Sequence, residues 1–178
     1  NGLSNTIQAD AVSGASASEK AGSGAFAFDL FLADTHAIVG DHATIAGSGD
    51  NLALWADEST TSTVNAKPSI SNGQGGGGGN PGTHDGGVVT GVGVAVALNI
   101  VQVDTRAEVD PVVGIAGVKD VLLDAHSDDV LWTKAQSGIS LANANSSDVY
   151  GGEFAVSFLK AATDAAIDAG GSLNASHD

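Results

Sequence analysis

GAFAFDLFLADTHAIV (24–39) recurs as VAVALNIVQVDTRAEV (94–109) and again as GEFAVSFLKAATDAAI (152–167). The copies align without a gap, and their columns decide the fold. Phe26, Val96 and Phe154 share one column, Phe28, Leu98 and Val156 the next alternate one, and Leu30, Ile100 and Phe158 the third. Between them fall Ala27, Ala97 and Ala155, then Asp29, Asn99 and Ser157. Large apolar residues on one parity and small or polar ones on the other give the period of a strand with one buried face. The large columns are therefore expected to face inward. After a bend expected at 33, 103 and 161 the inward set resumes as Thr35/Thr105/Thr163, Ala37/Ala107/Ala165 and Val39/Val109/Ile167. The residues between, such as His36, Arg106 and Asp164, vary in charge as solvent positions do. Asp34 and Asp104 sit at the bend, where an Asp side chain bonds nearby backbone N–H groups.

A second set of copies follows the first. NLALWA (51–56) matches DVLLDA (120–125), placing Leu52/Val121, Leu54/Leu123 and Ala56/Ala125 inward. TSTVNA (61–66) matches VLWTKA (130–135), with TIQADA (6–11) as a third copy. The repeats span about 24–66, 94–135 and 152–178 of a single domain. The step from Thr105 to Thr163 is 58 residues and that from Thr35 to Thr105 is 70. The excess falls in SNGQGGGGGNPGTHDGG (71–87), which has the composition of a lateral loop. Strands with short turns and recurring side chains predict an all-β chain, a β-solenoid with about two coils per unit. A β-sandwich is the alternative. FLKAATDAAIDAG (158–170) has fair helix propensity, but its alignment with two strands predicts strand.

Composition narrows the function. Against 21 acidic residues stand 6 basic ones, a formal net charge of −15, and Arg106 is the one arginine. That argues against nucleic acid, whose phosphates need basic patches, and against anionic membranes. Hydrophobic residues are 42%, yet aromatics are 4% and Gly numbers 25, which suits a narrow, layered interior. Absent Cys removes disulfides, thiolate metal sites and thiol catalysis. The run VVTGVGVAVALNIVQV holds Gly, Asn and Gln and makes a poor membrane span. The chain opens on Asn and closes on SLNASHD, and reads as a piece of a longer protein.

GVGVAVALNIVQVDTRAEV, a turn and then VLLDAHS resemble the degenerate repeats of very large bacterial surface and secreted proteins. These are the filamentous-haemagglutinin-like adhesins and autotransporter passengers. The resemblance implies a right-handed parallel β-helix, an extracellular or cell-surface location, and adhesion or fibre building. It carries over no catalytic residue.

Candidate chemistry is sparse. GSGDNLAL (47–54) is similar to a calcium-binding nonapeptide, with Asp50 one residue early and no copy nine residues on. Asp128 and Asp129 are adjacent. These three are the candidate ligands for a Ca2+ ion; solvated turn aspartates are the plain alternative. A carboxylate pair suits glycoside cleavage, but sugar sites also want exposed aromatic platforms, and the expected ones are limited to Trp55, Trp132 and Tyr150. Trp55 aligns with Asp124 at an outward position and is the candidate partner contact. His36, His42, His84, His126 and His177 read as surface residues, and no nucleophile or phosphate-loop motif occurs. The expected function is therefore a structural or adhesive segment that associates end to end through strand edges, not an enzyme. The alternatives are a cation-dependent module for cell-surface glycans and, further off, a polysaccharide-degrading β-helix.

Overall fold

The computed structural model describes residues 2–16, 20–71, 88–140, 146–168 and 172–175. The Gly-rich stretch 72–87 lies outside them. Ten strands follow in chain order: β1 (Gly2–Ser16), β2 (Lys20–Val39), β3 (Thr44–Ala46), β4 (Leu52–Ser71) and β5 (Val88–Val109). They continue with β6 (Gly114–Val118), β7 (Val121–Ala135), β8 (Gly138–Ser140), β9 (Ser146–Ile167) and β10 (Ser172–Ala175). There is no helix among the described residues, and 158–167 is strand, as the alignment predicts.

The strands form three sheets, ordered β1-β4-β7, β2-β5-β9 and β3-β6-β10, with β8 added to β4. Every pair is parallel. The register is the one the repeats predict. Thr35 lies beside Thr105 and Thr105 beside Thr163, Leu54 beside Leu123, and Thr6 beside Thr61 beside Val130. The step between neighbouring strands is thus a whole repeat. One layer of the three sheets takes one unit, where two coils per unit had been expected.

The first sheet packs on the second through small residues. Ala25, Ala27, Ala95 and Ala97 meet Val64 and Ala66, with Ala9, Ala11 and Ala135 at the margin. Further along, Leu54 and Ala56 meet Ala107 and Val109, joined by Val113, Ile115 and Val118 around the third sheet.

This packing inverts the first half of the expected pattern. Phe26, Phe28 and Leu30 are exposed, while Ala25, Ala27 and Asp29 are buried. The reason is continuity. The strand β2 is unbroken from Lys20 to Val39, so the expected bend at 33 is absent. Thr35 is buried inward, and the odd parity it sets runs back to Ala25. The later columns, Thr105, Ala107 and Val109, face inward as expected.

Asp29 and Asn99, expected in solvent, are therefore interior. Ser62 of the facing sheet lies 2.6 Å from Asp29 Oδ2 and 3.0 Å from Asn99 Oδ1. Glu58, Thr60 and Ser62 on β4 are also fully buried. Glu58 Oε1 accepts from Thr60 Oγ1 and from Asn5 Nδ2, and its Oε2 has no partner. Such pairing keeps most of these groups from the cost of an unsatisfied buried polar atom.

The corners repeat too. His42 (φ 64°) and Val112 (φ 66°), seventy residues apart, both occupy the left-handed region. The Ala43 N–H closes the first turn on the Gly40 carbonyl at 3.2 Å. A β-branched residue is strained there. Val112 is exposed and replaceable, so Val112→Gly is expected to stabilise the chain by about 1 kcal/mol. A higher urea midpoint with unchanged slope is the readout. At the next corner Gly117 has φ 69°, and a Cβ there would collide with the Gly47 carbonyl oxygen.

Candidate interaction surface

The inverted parity gives the second sheet an apolar outer face. Phe26, Phe28, Leu30 and Leu32 project from β2, Val92 and Val94 from β5, and Tyr150, Phe154, Val156 and Phe158 from β9, all exposed. Val96, Leu98 and Ile100, half-buried, form the floor between the edge strands. Four phenylalanines at about half exposure leave on the order of 400 Å² bare, from ~150–250 Å² per aromatic side chain. The phenylalanines alone reach the ~300–600 Å² of the largest patch on a typical monomer.

Toward the ends of β2 and β5 the same face becomes charged. Asp34 pairs in register with Asp104, and His36 with Arg106. The Arg106 guanidinium donates to both Asp104 oxygens, Nε to Oδ1 at 2.9 Å and Nη2 to Oδ2 at 2.8 Å. These bonds hold the Asp104 carboxyl below its ordinary range and raise Arg106. His36 contacts Asp34. Asp34, His36 and Asp104 have ligand atoms within 4.8 Å of one another, but their charges are answered by protein groups; Glu108, Asp110 and Asp168 form a second such cluster. In that cluster Glu108 is raised by loss of solvent and by Asp168 and Asp110 beside it. An acid raised in the folded state contributes stability as pH falls through its folded pKa and withdraws it as pH rises. Glu108→Gln should thus raise the melting temperature at neutral pH and flatten its dependence on pH in the weakly acidic range. An unchanged pH profile would mean that Glu108 does not feel its neighbours.

The sequence-predicted residues do not converge. Asp128 and Asp129 are successive residues of β7, so one faces solvent and the other the interior. Asp129 Oδ2 accepts from Ser127 Oγ at 2.7 Å. Asp50 is exposed in the turn before β4, where its carbonyl accepts from the Lys119 N–H. Neither carboxylate cluster contains any of the three. Trp55 is outward and 58% exposed, beside Asp124 as aligned. It borders a groove with His36, Ile38 and Ala53, and a second with Asp57, Asp124 and His126. Trp132, 68% exposed, shares its polar outer face on the first sheet.

The apolar face itself was missed from sequence. Its signal was present: Thr35, Ala37 and Val39 inward, carried back at a strict period of two, puts Phe28 outside. No protein family, curated protein or solved structure matches the chain. Among the described residues no helix is long and apolar enough to cross a membrane.

Proposed function

We propose that the chain is a β-solenoid segment of a bacterial extracellular adhesin or fibre protein, and that its layers stack end to end with further layers. Three parallel sheets, whose main strands follow one per repeat in sequence order, support a β-helix in which one unit makes one coil. The resemblance to filamentous-haemagglutinin-like repeats points the same way.

One observation carries the reading. In the middle layer Ala97, Asn99, Val101, Thr105 and Val109 are at most 1% exposed. Their ladder partners on β9, Ala155, Ser157, Leu159, Thr163 and Ile167, are all exposed. The third layer is built like the middle one, with the side chains of that parity exposed. Its edge N–H and C=O groups are a template for another strand. Association is opposed by the net charge of −15, so salt should promote it. Light scattering across a salt and concentration series is expected to show growth beyond a single chain. A strictly monomeric particle at high salt would overturn the reading.

A second reading, a cation-dependent glycan-binding module, draws on Trp55 and Trp132, exposed on a polar face. Both tryptophans of the chain are there, so glycan binding should change their fluorescence. A spectrum unmoved by polysaccharides with and without Ca2+ would remove it.

A further inference from the structure

We propose that the outer face of the second sheet is a lateral interface, taken by the same face of a second copy of this chain. The proposal stands on the face alone and does not need end-to-end stacking.

Exposed side chains of ten residues, four on β2, two on β5 and four on β9, offer roughly 800 Å² per copy, which is what each partner contributes to a standard stable interface. A chain of net charge −15 is repelled by anionic membranes. A second copy brings a stripe of the same length with rows at the same strand spacing, and sheets pack face to face about 10 Å apart.

On the two edge strands the charges flanking the stripe are complementary under a two-fold axis, and on the central strand Arg106, which would face its own copy, is already paired with Asp104. Lys20, Thr90 and Asp148 form one row at its beginning, and His36, Arg106 and Asp164 one beyond its end. An axis along β5 lays β2 of one copy over β9 of the other. Lys20 then meets Asp148 of the second copy, and His36 meets its Asp164. Each contact occurs twice, as a closed two-fold interface requires. The opposite outer face, with Asp57, Ser59, Thr61 and Asn65 on β4, has no such stripe.

The chain has no Cys, so one introduced thiol reports on one place. Leu98 lies on the central strand, on the axis, and there meets its own copy. At a sheet spacing of about 10 Å the two thiols are too far apart for a disulfide, whose Cα atoms need ~4.4–6.8 Å, but within a short bismaleimide. Leu98→Cys should be captured as a covalent dimer, and Trp132→Cys, on the other outer face, should stay single. Phe28→Asp with Phe154→Asp should abolish capture of Leu98→Cys while circular dichroism and melting show a folded chain. Particles that grow with salt while Leu98→Cys stays uncaptured would overturn this interface and leave end-to-end stacking intact. Captured dimers that never grow further would support it and count against stacking. Equal capture at both positions, or binding to zwitterionic phosphatidylcholine vesicles by a chain that stays monomeric, would also overturn it.

Discussion

Val101→Asp is expected to cost on the order of 4 kcal/mol or more, enough to unfold a domain of ordinary stability. Val101 is 0% exposed. It sits on the central strand between Phe31 and Leu159, with the first sheet packed over it. Among the described residues no cationic side chain is buried there to receive a carboxylate. Phe28→Asp puts the same carboxylate on the outer face and should cost the monomer no more than about 1 kcal/mol, the span of strand propensities. Urea denaturation of both variants at low protein concentration is the measurement. The reverse order of losses would restore the large apolar columns to the interior and remove the lateral interface with them.

Ala97→Phe should cost about 3 kcal/mol by overpacking. The gap between the two large sheets is set by Ala25, Ala27, Ala95, Ala97 and Ala66 across from one another, all almost completely buried. An aromatic ring there forces the sheets apart, and strands paired along their whole length cannot yield at one point. Val96→Phe is the control. It lies one residue away on the outer face, between Phe26 and Phe154, and should be tolerated. Equal losses would show that the interior has room the alanines do not reveal.

The register was legible because parallel pairing stacks each strand on its own copy. Aligning Thr35 with Thr105 and Thr163 is the same operation as pairing them. The side of the sheet was less legible. Phe26 and Phe28 outweigh Ala25 and Ala27 in any hydrophobic pattern, so the pattern favours the larger residues as core. What decides the matter is the width of the interior, which depends on a facing sheet far away in sequence. The buried Asp29, Glu58 and Asn99 were hidden for the same reason, since their partners Ser62 and Asn5 come from other strands. Asp128 and Asp129 illustrate the converse: adjacency in sequence looks like a cluster, and in a strand it guarantees separation.

Strands that run across the stacking direction also fix how the chain gives way under load. Tension applied along the stack bears on the pairing between successive layers, so the layers should peel off singly. Seventy residues separate Thr35 from Thr105, and fifty-eight separate Thr105 from Thr163. At ~3.3–3.6 Å of extended chain per residue, each release pays out roughly 200 Å of length. A tether built of such layers would answer a sudden pull by lengthening in discrete steps, with the anchoring contact at its far end spared the peak force.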